Sequence, residues 1–126
     1  ILLHTIGTID PPGSIQPFIQ KYIFPGGIVP SMSEVVKSIE NNGLIISDVE
    51  SLIHHYDKTL KAWLDRFLES KRRVRQLYDD KFVRMWTFYL ASTSAAFKFR
   101  DLVVYQFQLV KDFKAIPSNR RDYIYS

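Results

Sequence analysis

The chain has 126 residues, of which 46% are hydrophobic and 24% charged, a balance that supports one modest core and excludes a disordered segment. The net charge is +4, and the lack of cysteine excludes a disulfide framework or a cysteine-based metal site among these residues. We find no apolar run of the roughly 20 residues that span a bilayer and no secretory leader, so we expect a cytoplasmic protein.

The first element is an apolar run from Ile1 to Ile6, which is typical of a strand covered on both faces, and we expect Gly7 to end it. Such a strand needs neighbours that this chain cannot all supply. We therefore expect these residues to be a piece of something larger, with exposed sheet edges that favour self-association into a homo-oligomer.

Prolines and glycines in residues 10–17 and 25–30 predict loops around a short aromatic segment. Ser31 and Glu34 have the spacing of a capping box, which predicts a helix from about Ser31 to Asn42 that Gly43 stops. Leu44 to Glu50 is short and β-branched, and it indicates a second strand.

Two further helices and a third strand are predicted in the second half of the chain. Apolar residues at helical spacing predict one amphipathic helix from about Asp57 to Tyr78: Leu60, Trp63, Leu64, Phe67, Leu68 and Val74. Asp79 or Asp80 can cap the next helix. Leu102 to Val110 begins apolar and then alternates, as does a strand near a sheet edge. Helices and strands that alternate along the chain favour an α/β fold.

The stretch from Lys58 to Arg75 carries seven basic residues against two acidic ones: Lys58, Lys61, Arg66, Lys71, Arg72, Arg73 and Arg75 against Asp65 and Glu69. It is either a solvated helix face or a surface for an anionic partner. Of such partners, an anionic phospholipid surface at the inner membrane face is favoured. Because no nucleic-acid-binding motif accompanies the charges, we expect no nucleic acid partner.

His4 lies in an apolar strand just before a turn, the position at which α/β sheets bind ligands, although a buried neutral histidine is the alternative. His54 and His55 are adjacent, which is the wrong spacing for shared ligation, so we expect no metal site. Tyr22 and Phe24 precede a tight turn and are either core residues or an aromatic wall for an apolar or cationic ligand.

Four segments in register resemble the cyclopropane-fatty-acyl-phospholipid synthases and the related mycolic-acid cyclopropane synthases. They are Leu3-His4-Thr5-Ile6-Gly7, then Lys21 to Gly27 followed by Val29-Pro30-Ser31, then Val49-Glu50 leading to His55 to Trp63 with Arg66-Phe67, and finally Phe82 to Trp86 with Tyr89-Leu90 and Ala96-Phe97. The resemblance implies the C-terminal half of a class I S-adenosylmethionine-dependent methyltransferase, a Rossmann-like α/β sheet with a helical insertion. Residues 1–116 would form this part of the domain and residues 117–126 a polar C-terminal tail.

The resemblance also implies an activity and a site. Members of this family transfer a methyl(ene) group from S-adenosylmethionine to the cis double bond of a phospholipid acyl chain, with a bound bicarbonate as the base. The residues that match the bicarbonate site are His4, Ile6 through its backbone, and Tyr56, while Tyr22 and Phe24 match the substrate-binding stretch.

The family's glycine-rich cofactor loop has no counterpart here, and we expect it upstream of Ile1, so the 126 residues alone should be inactive. Two alternatives stay open. One is a related methyltransferase that only methylates, or that acts on another lipid or small acceptor. The other is a non-catalytic basic module that docks on membranes.

Overall fold

The computed structural model describes residues 1–116 and 120–124, which form three strands and five α-helices. The strands are β1 (Leu2–Thr8), β2 (Ile45–Leu52) and β3 (Leu102–Val110). The helices are α1 (Pro17–Tyr22), α2 (Met32–Asn41), α3 (Tyr56–Glu69), α4 (Lys71–Leu77) and α5 (Asp80–Phe99), and the short 3-10 turns Phe113–Ala115 and Arg121–Ile124 follow β3. Helices pack on both faces of the sheet, which confirms the predicted α/β class.

The last strand lies in the middle of the sheet. The strand order is β1-β3-β2, and β3 is antiparallel to both neighbours. The expectation that β3 lies near a sheet edge is therefore wrong. Its alternation has another cause: Tyr105 and Phe107 are buried on one face, whereas Gln106 and Gln108 lie on the opposite face and bind polar partners there.

Strand β1 runs one residue past Gly7, so the prediction that Gly7 ends the strand is also wrong. Gly7 pairs with Val103, and a side chain at Gly7 would overlap the ring of Tyr105. The glycine thus permits a close approach between strands.

The expected cover on both faces of β1 is incomplete, because Ile1 and Leu2 are exposed within the described residues.

Each face of the sheet has its own core. On one face, Val35 and Ile39 of α2 pack against odd-numbered residues of β3, including Val103 and Phe107. On the other face, the helices α3 and α5 bury a cluster that contains Val104 of β3: Leu60, Leu90, Phe97 and Val104. A side chain on β1 or β3 therefore faces α2 or the α3/α5 pair according to whether its number is odd or even.

Two helix starts follow the sequence prediction closely. The Ser31 hydroxyl accepts a hydrogen bond from the Glu34 amide at 3.3 Å, and the Glu34 carboxylate accepts one from the Ser31 amide at 2.8 Å, which completes the capping box. Asp79 caps α5 by accepting from the Phe82 amide at 2.7 Å. Helix α2 ends before Gly43, whose positive φ of 65° favours glycine.

The helix predicted from Asp57 to Tyr78 is instead two helices, α3 and α4, which meet at Ser70. Ser70 ends α3 in a conformation outside the helical region (φ −86°, ψ 0°). Trp63, expected on the core stripe of this helix, is 43% exposed, so that part of the stripe is wrong. The break also separates the basic stretch into two segments.

Beyond β3, the described part of the tail is attached to the sheet. Arg121 forms an ion pair with Asp48 of β2 at 2.7 Å, and the Tyr123 hydroxyl donates to Oε1 of Gln108 at 3.1 Å. The rest of the predicted polar tail, residues 117–119 and 125–126, lies outside the described residues. Among the described helices, none combines the length and the apolar character that crossing a bilayer requires.

Candidate active site

A largely apolar cavity of about 820 Å³ lies where β1 ends, between the segment of residues 10–29 and helix α5. Its walls include Ile6 from β1, Phe24 from the loop after α1, and Tyr89, Thr93 and Phe97 from successive turns of α5. Volumes of this size are typical of sites for small molecules or lipid chains. The cavity is the main candidate for a binding site in the described residues.

Backbone hydrogen bonds fix the rim of the cavity. The Thr8 amide donates to the Pro30 carbonyl at 3.0 Å, and the Ile9 amide donates to the Asp101 carbonyl at 2.9 Å. The end of β1 is therefore joined both to the start of α2 and to the start of β3. These bonds anchor both ends of the segment of residues 10–29, which lines the cavity.

Phe24 is brought to the cavity by a tight turn. The Gly27 amide donates to the Phe24 carbonyl at 2.9 Å, and Gly26 within the turn has a φ of 74°, which suits glycine. The Phe24 ring meets the Tyr89 ring edge to face, with 6.0 Å between centroids. Phe24 is therefore one of the residues that line the cavity, and its use as an aromatic wall for a ligand stays a prediction.

Tyr89, which the sequence marks only as part of the fourth segment of the family resemblance, lines the cavity. Burial raises the pKa of its phenol above the usual 10.0, and the neighbouring phenol of Tyr56 raises it further. The group therefore stays a neutral hydroxyl at physiological pH. Its helical spacing is equally typical of a core residue, so only the three-dimensional structure identifies its position in the cavity wall.

Tyr56 begins α3 and lies behind the cavity wall rather than in it. Its ring contacts Phe97 at 5.1 Å and Trp63 at 6.0 Å between centroids. The next residue, Asp57, has a buried Oδ1 atom with no hydrogen-bond partner within the described residues. No sequence pattern marked Asp57, because a first-turn aspartate normally signals only a favourable helix start.

His4 lies in the middle of β1, four residues before the strand ends, and its side chain is exposed. Both sequence interpretations of its environment are therefore wrong: His4 neither immediately precedes a turn nor is buried against a backbone carbonyl. Its Nδ1 atom lies 3.1 Å from Nε2 of Gln106, the residue directly opposite on β3. This face of the sheet is the one that α3 and α5 cover further along.

Ile6 contributes its side chain to the cavity and its backbone to the outer edge of β1. Ile1 and Leu109 exchange both backbone hydrogen bonds, and Ile9 donates to Asp101, so the bonds to β3 fall on odd-numbered residues. By the alternation of antiparallel pairs, the amide of Ile6 points away from β3. Thr8, two residues further on, follows the same rule and donates outward to Pro30.

Tyr22 is not part of the cavity wall. Its ring is 47% exposed and contacts Phe18 at 5.6 Å, and the Lys21 ammonium lies 5.2 Å from the ring centroid. A role of Tyr22 in substrate binding stays a prediction.

His54 and His55 are both exposed, and among the described residues no three His, Cys, Asp or Glu side chains are grouped to hold a metal ion.

The basic stretch forms a surface around α4. Arg72 and Arg73 are exposed, whereas Arg75 pairs with Asp80 at 2.6 Å. Leu77 and Tyr78 follow after Gln76 and are 70% and 60% exposed. Cationic and apolar groups therefore lie side by side at the corner between α4 and α5, and we call this the basic corner.

Comparison with known proteins gives a consistent result. The sequence model of the family described as mycolic acid cyclopropane synthetase matches residues 1–107. The cyclopropane-fatty-acyl-phospholipid synthase of Escherichia coli K12 is 38% identical over 105 residues, which are 83% of this chain and 27% of that protein. The tuberculostearic acid methyltransferase UfaA1 of Mycobacterium tuberculosis is 41% identical over 99 residues, 77% of this chain and 23% of that protein. The chain thus spans about a quarter of the length of these relatives.

Solved structures agree. The cyclopropane synthase MmaA2 of Mycobacterium tuberculosis superposes with a TM-score of 0.79 at 26% identity, over 86% of this chain and 42% of the other. The mycolic acid cyclopropane synthase CmaA1, in complex with SAH and CTAB, has a TM-score of 0.76 at 30% identity over the same shares. The expected fold, part of a methyltransferase α/β sheet with a helical insertion, is confirmed.

Proposed function

The chain belongs to the mycolic acid cyclopropane synthetase family, and from that premise we propose that it is the C-terminal part of a cyclopropane-fatty-acyl-phospholipid synthase. The whole enzyme would transfer a methyl(ene) group from S-adenosylmethionine to the cis double bond of a phospholipid acyl chain. The observation that carries the proposal is the largely apolar cavity of about 820 Å³ at the end of β1, a volume within the range of small-molecule pockets and a lining against which an acyl chain would pack.

The aromatic wall suits the charge that such a reaction develops. Addition of a methyl cation to a double bond leaves a carbocation, which the faces of aromatic rings attract. Phe24 and Tyr89 meet edge to face in this wall. The same apolar surroundings exclude water that would otherwise capture the cation.

The base of the proposed reaction would be a bicarbonate held at the edge of β1, as the family resemblance implies. The side chains of His4 and Ile6 project from the same face of the sheet, and the Ile6 amide points outward, away from β3. Val104 is the residue of β3 that pairs with Ile6, and Tyr56 packs against the buried cluster that contains Val104. The His4 ring, the Ile6 amide and the Tyr56 hydroxyl would hold the anion. When bound, it would supply a base for the proton lost from the transferred methyl group.

S-adenosylmethionine would bind mainly to sequence outside these 126 residues. The five glycines of the chain form no G-x-G pattern, which a dinucleotide-type cofactor loop requires. The isolated chain should therefore be inactive and should show no micromolar binding of S-adenosylmethionine in calorimetry. Micromolar binding by the 126 residues alone would contradict this division.

The test of the activity is lipid analysis after expression of the full-length protein in a host without its own cyclopropane synthase. We expect unsaturated phospholipids to gain the mass of one CH2 group, and the NMR signals of olefinic protons to be replaced by those of a cyclopropane ring. The host with an empty vector is the control. An unchanged lipid profile would reject the lipid assignment.

A methyltransferase that forms no ring is the second candidate, because one similar protein is named a tuberculostearic acid methyltransferase and another a sphingolipid C9-methyltransferase. The NMR measurement separates the two. A methyl or methylene branch without cyclopropane resonances would identify this second activity.

We further propose that the basic corner docks peripherally on anionic phospholipid at the inner membrane face, where the acyl substrate lies. Arg72 and Arg73 supply the charge, and the exposed Leu77 and Tyr78 can enter the headgroup region. The full-length protein should co-sediment with anionic vesicles in a salt-sensitive manner, and the double variant Arg72→Glu/Arg73→Glu should lose binding.

The matched control for vesicle binding is Lys37→Glu/Lys114→Glu, which makes the same charge change at exposed positions elsewhere. It should retain binding to the vesicles. Equal loss in both double variants would show that only the net charge matters, and failure of the unmodified protein to bind would reject docking. In the second case the non-catalytic docking alternative would also fail.

A further inference from the structure

Gln106 and His4 occupy opposite positions on neighbouring strands. Since the backbone bonds between β1 and β3 fall on odd-numbered residues, this is a pair without mutual backbone hydrogen bonds, the type in which side chains approach most closely. The amide nitrogen of Gln106 lies 3.1 Å from Nδ1 of His4. The contact is therefore built into the register of the sheet.

The direction of this hydrogen bond determines the histidine tautomer. The amide nitrogen of Gln106 faces Nδ1 and can only donate, so in this orientation of the amide Nδ1 of His4 accepts. In a neutral imidazole the proton then lies on Nε2, because the bond made by one ring nitrogen decides the state of the other. Gln106 thus makes the free nitrogen of His4 a donor.

The other ring nitrogen of His4, Nε2, points away from β3. The outward bonds of Nδ1 and Nε2 diverge on opposite sides of the imidazole ring, so with Nδ1 towards β3, Nε2 is directed away from that strand. The Ile6 amide is directed to the same side. The two N–H groups can then serve one acceptor.

We propose that Gln106 is a positioning residue that holds His4 as the Nε2–H tautomer and aims this donor at the anion beside the reacting acyl chain. The inference rests on the proposed function for the role of the anion, and on the geometry of the sheet for the tautomer. A positioning partner of this type typically changes function tenfold or more when it is removed.

The experiment compares three variants of the full-length protein. Gln106→Met removes the donor, and Gln106→Glu replaces it by an acceptor of nearly the same shape, which should move the His4 proton to Nδ1. Gln108→Met is the matched control, because Gln108 lies on the same face two residues along β3 but binds Tyr123. Nitrogen-15 NMR of labelled histidine reports the tautomer, and steady-state kinetics reports turnover.

We expect the Nε2–H tautomer in the unmodified protein and in Gln108→Met, and the Nδ1–H form or an imidazolium in Gln106→Glu. Both Gln106 variants should lower kcat about tenfold with little change in KM. An unchanged tautomer in Gln106→Glu would overturn the inference, as would equal kinetics for Gln106→Met and Gln108→Met. The isosteric Gln106→Glu keeps the test decisive if Gln106→Met does not fold.

A separate variant distinguishes the failure of this inference from that of the proposed function. If His4→Ala leaves turnover unchanged, the proposed anion site is rejected, and the role of Gln106 in the reaction is rejected with it. If His4→Ala is impaired but the Gln106 variants keep both tautomer and turnover, only the positioning role is rejected.

Discussion

A methyl group on Gly7 would lie 2.6 Å from the ring atom Cε2 of Tyr105 and 2.8 Å from the carbonyl oxygen of Pro30. The Tyr105 hydroxyl donates to the carbonyl of Thr8 at 3.0 Å, so moving the ring aside would break this buried hydrogen bond. Strand β1 and the start of α2 therefore meet at a position that admits only hydrogen.

We expect Gly7→Ala to lower the free energy of unfolding by about 1–3 kcal/mol, the usual cost of overpacking a filled core. Chemical denaturation of the full-length protein measures it. Gly13→Ala is the control, because the nearest atom to its added carbon lies at 3.7 Å, and it should change stability by less than about 0.5 kcal/mol. Equal stability of both variants would mean that the Tyr105 ring can move away from the added methyl group at little cost.

Tyr56→Phe tests the proposed anion site. Loss of one preorganised donor should lower kcat about 100-fold, while the retained ring keeps its contact with Phe97 and hence the fold. Tyr123→Phe removes a hydroxyl that binds Gln108 outside the cavity lining and should leave turnover unchanged. Wild-type turnover in Tyr56→Phe would make Tyr56 a packing residue.

Phe24→Leu tests the aromatic wall. The substitution keeps an apolar side chain but removes the ring that faces the reacting chain, so kcat/KM should fall about tenfold, the equivalent of a strong cation–π contact. Phe99→Leu changes an exposed phenylalanine outside the cavity lining and serves as the control. Similar kinetics in the two variants would exclude a catalytic use of the Phe24 ring.

Tyr89 is expected to make the stability of the fold depend on pH in the alkaline range. Its pKa is raised in the folded protein above the usual 10.0, so the unfolded chain loses this proton first. The stability linked to Tyr89 is therefore complete below pH 10 and is lost as the pH rises through the folded pKa. Denaturation measured at increasing alkaline pH should show a shallower decline for Tyr89→Phe than for Tyr22→Phe, and parallel declines would contradict the raised pKa.

Local signals were sufficient to predict some elements. The capping box at Ser31 and the cap at Asp79 depend on side chains within three residues of the amides they bind, so the sequence contains all the information needed. The limits of β3, Leu102 to Val110, also match the prediction. Its central place in the sheet does not, because pairing partners are distant in sequence and leave no local pattern.

The site was predictable only in part. Phe24 was identified beside its turn. Tyr89 has the same spacing as its buried neighbours on α5, so nothing in the sequence distinguishes this residue of the cavity wall from a residue of the core. The break at Ser70 was also missed, because apolar spacing continues through Val74 although the backbone leaves the helix. The bond between Gln106 and His4 depends on strand register, which only the folded sheet defines.

The position of β3 has a consequence for how the protein is made. β1 and β2 pair only with β3 in the described sheet, so neither strand has this partner until Leu102 to Val110 leaves the ribosome. Until then the strand edges that will pair with β3 stay unsatisfied, a state that exposes them to wrong partners. This part of the sheet therefore closes only after β3 is made, and a chain that stops before Leu102 would lack the strand that joins β1 to β2.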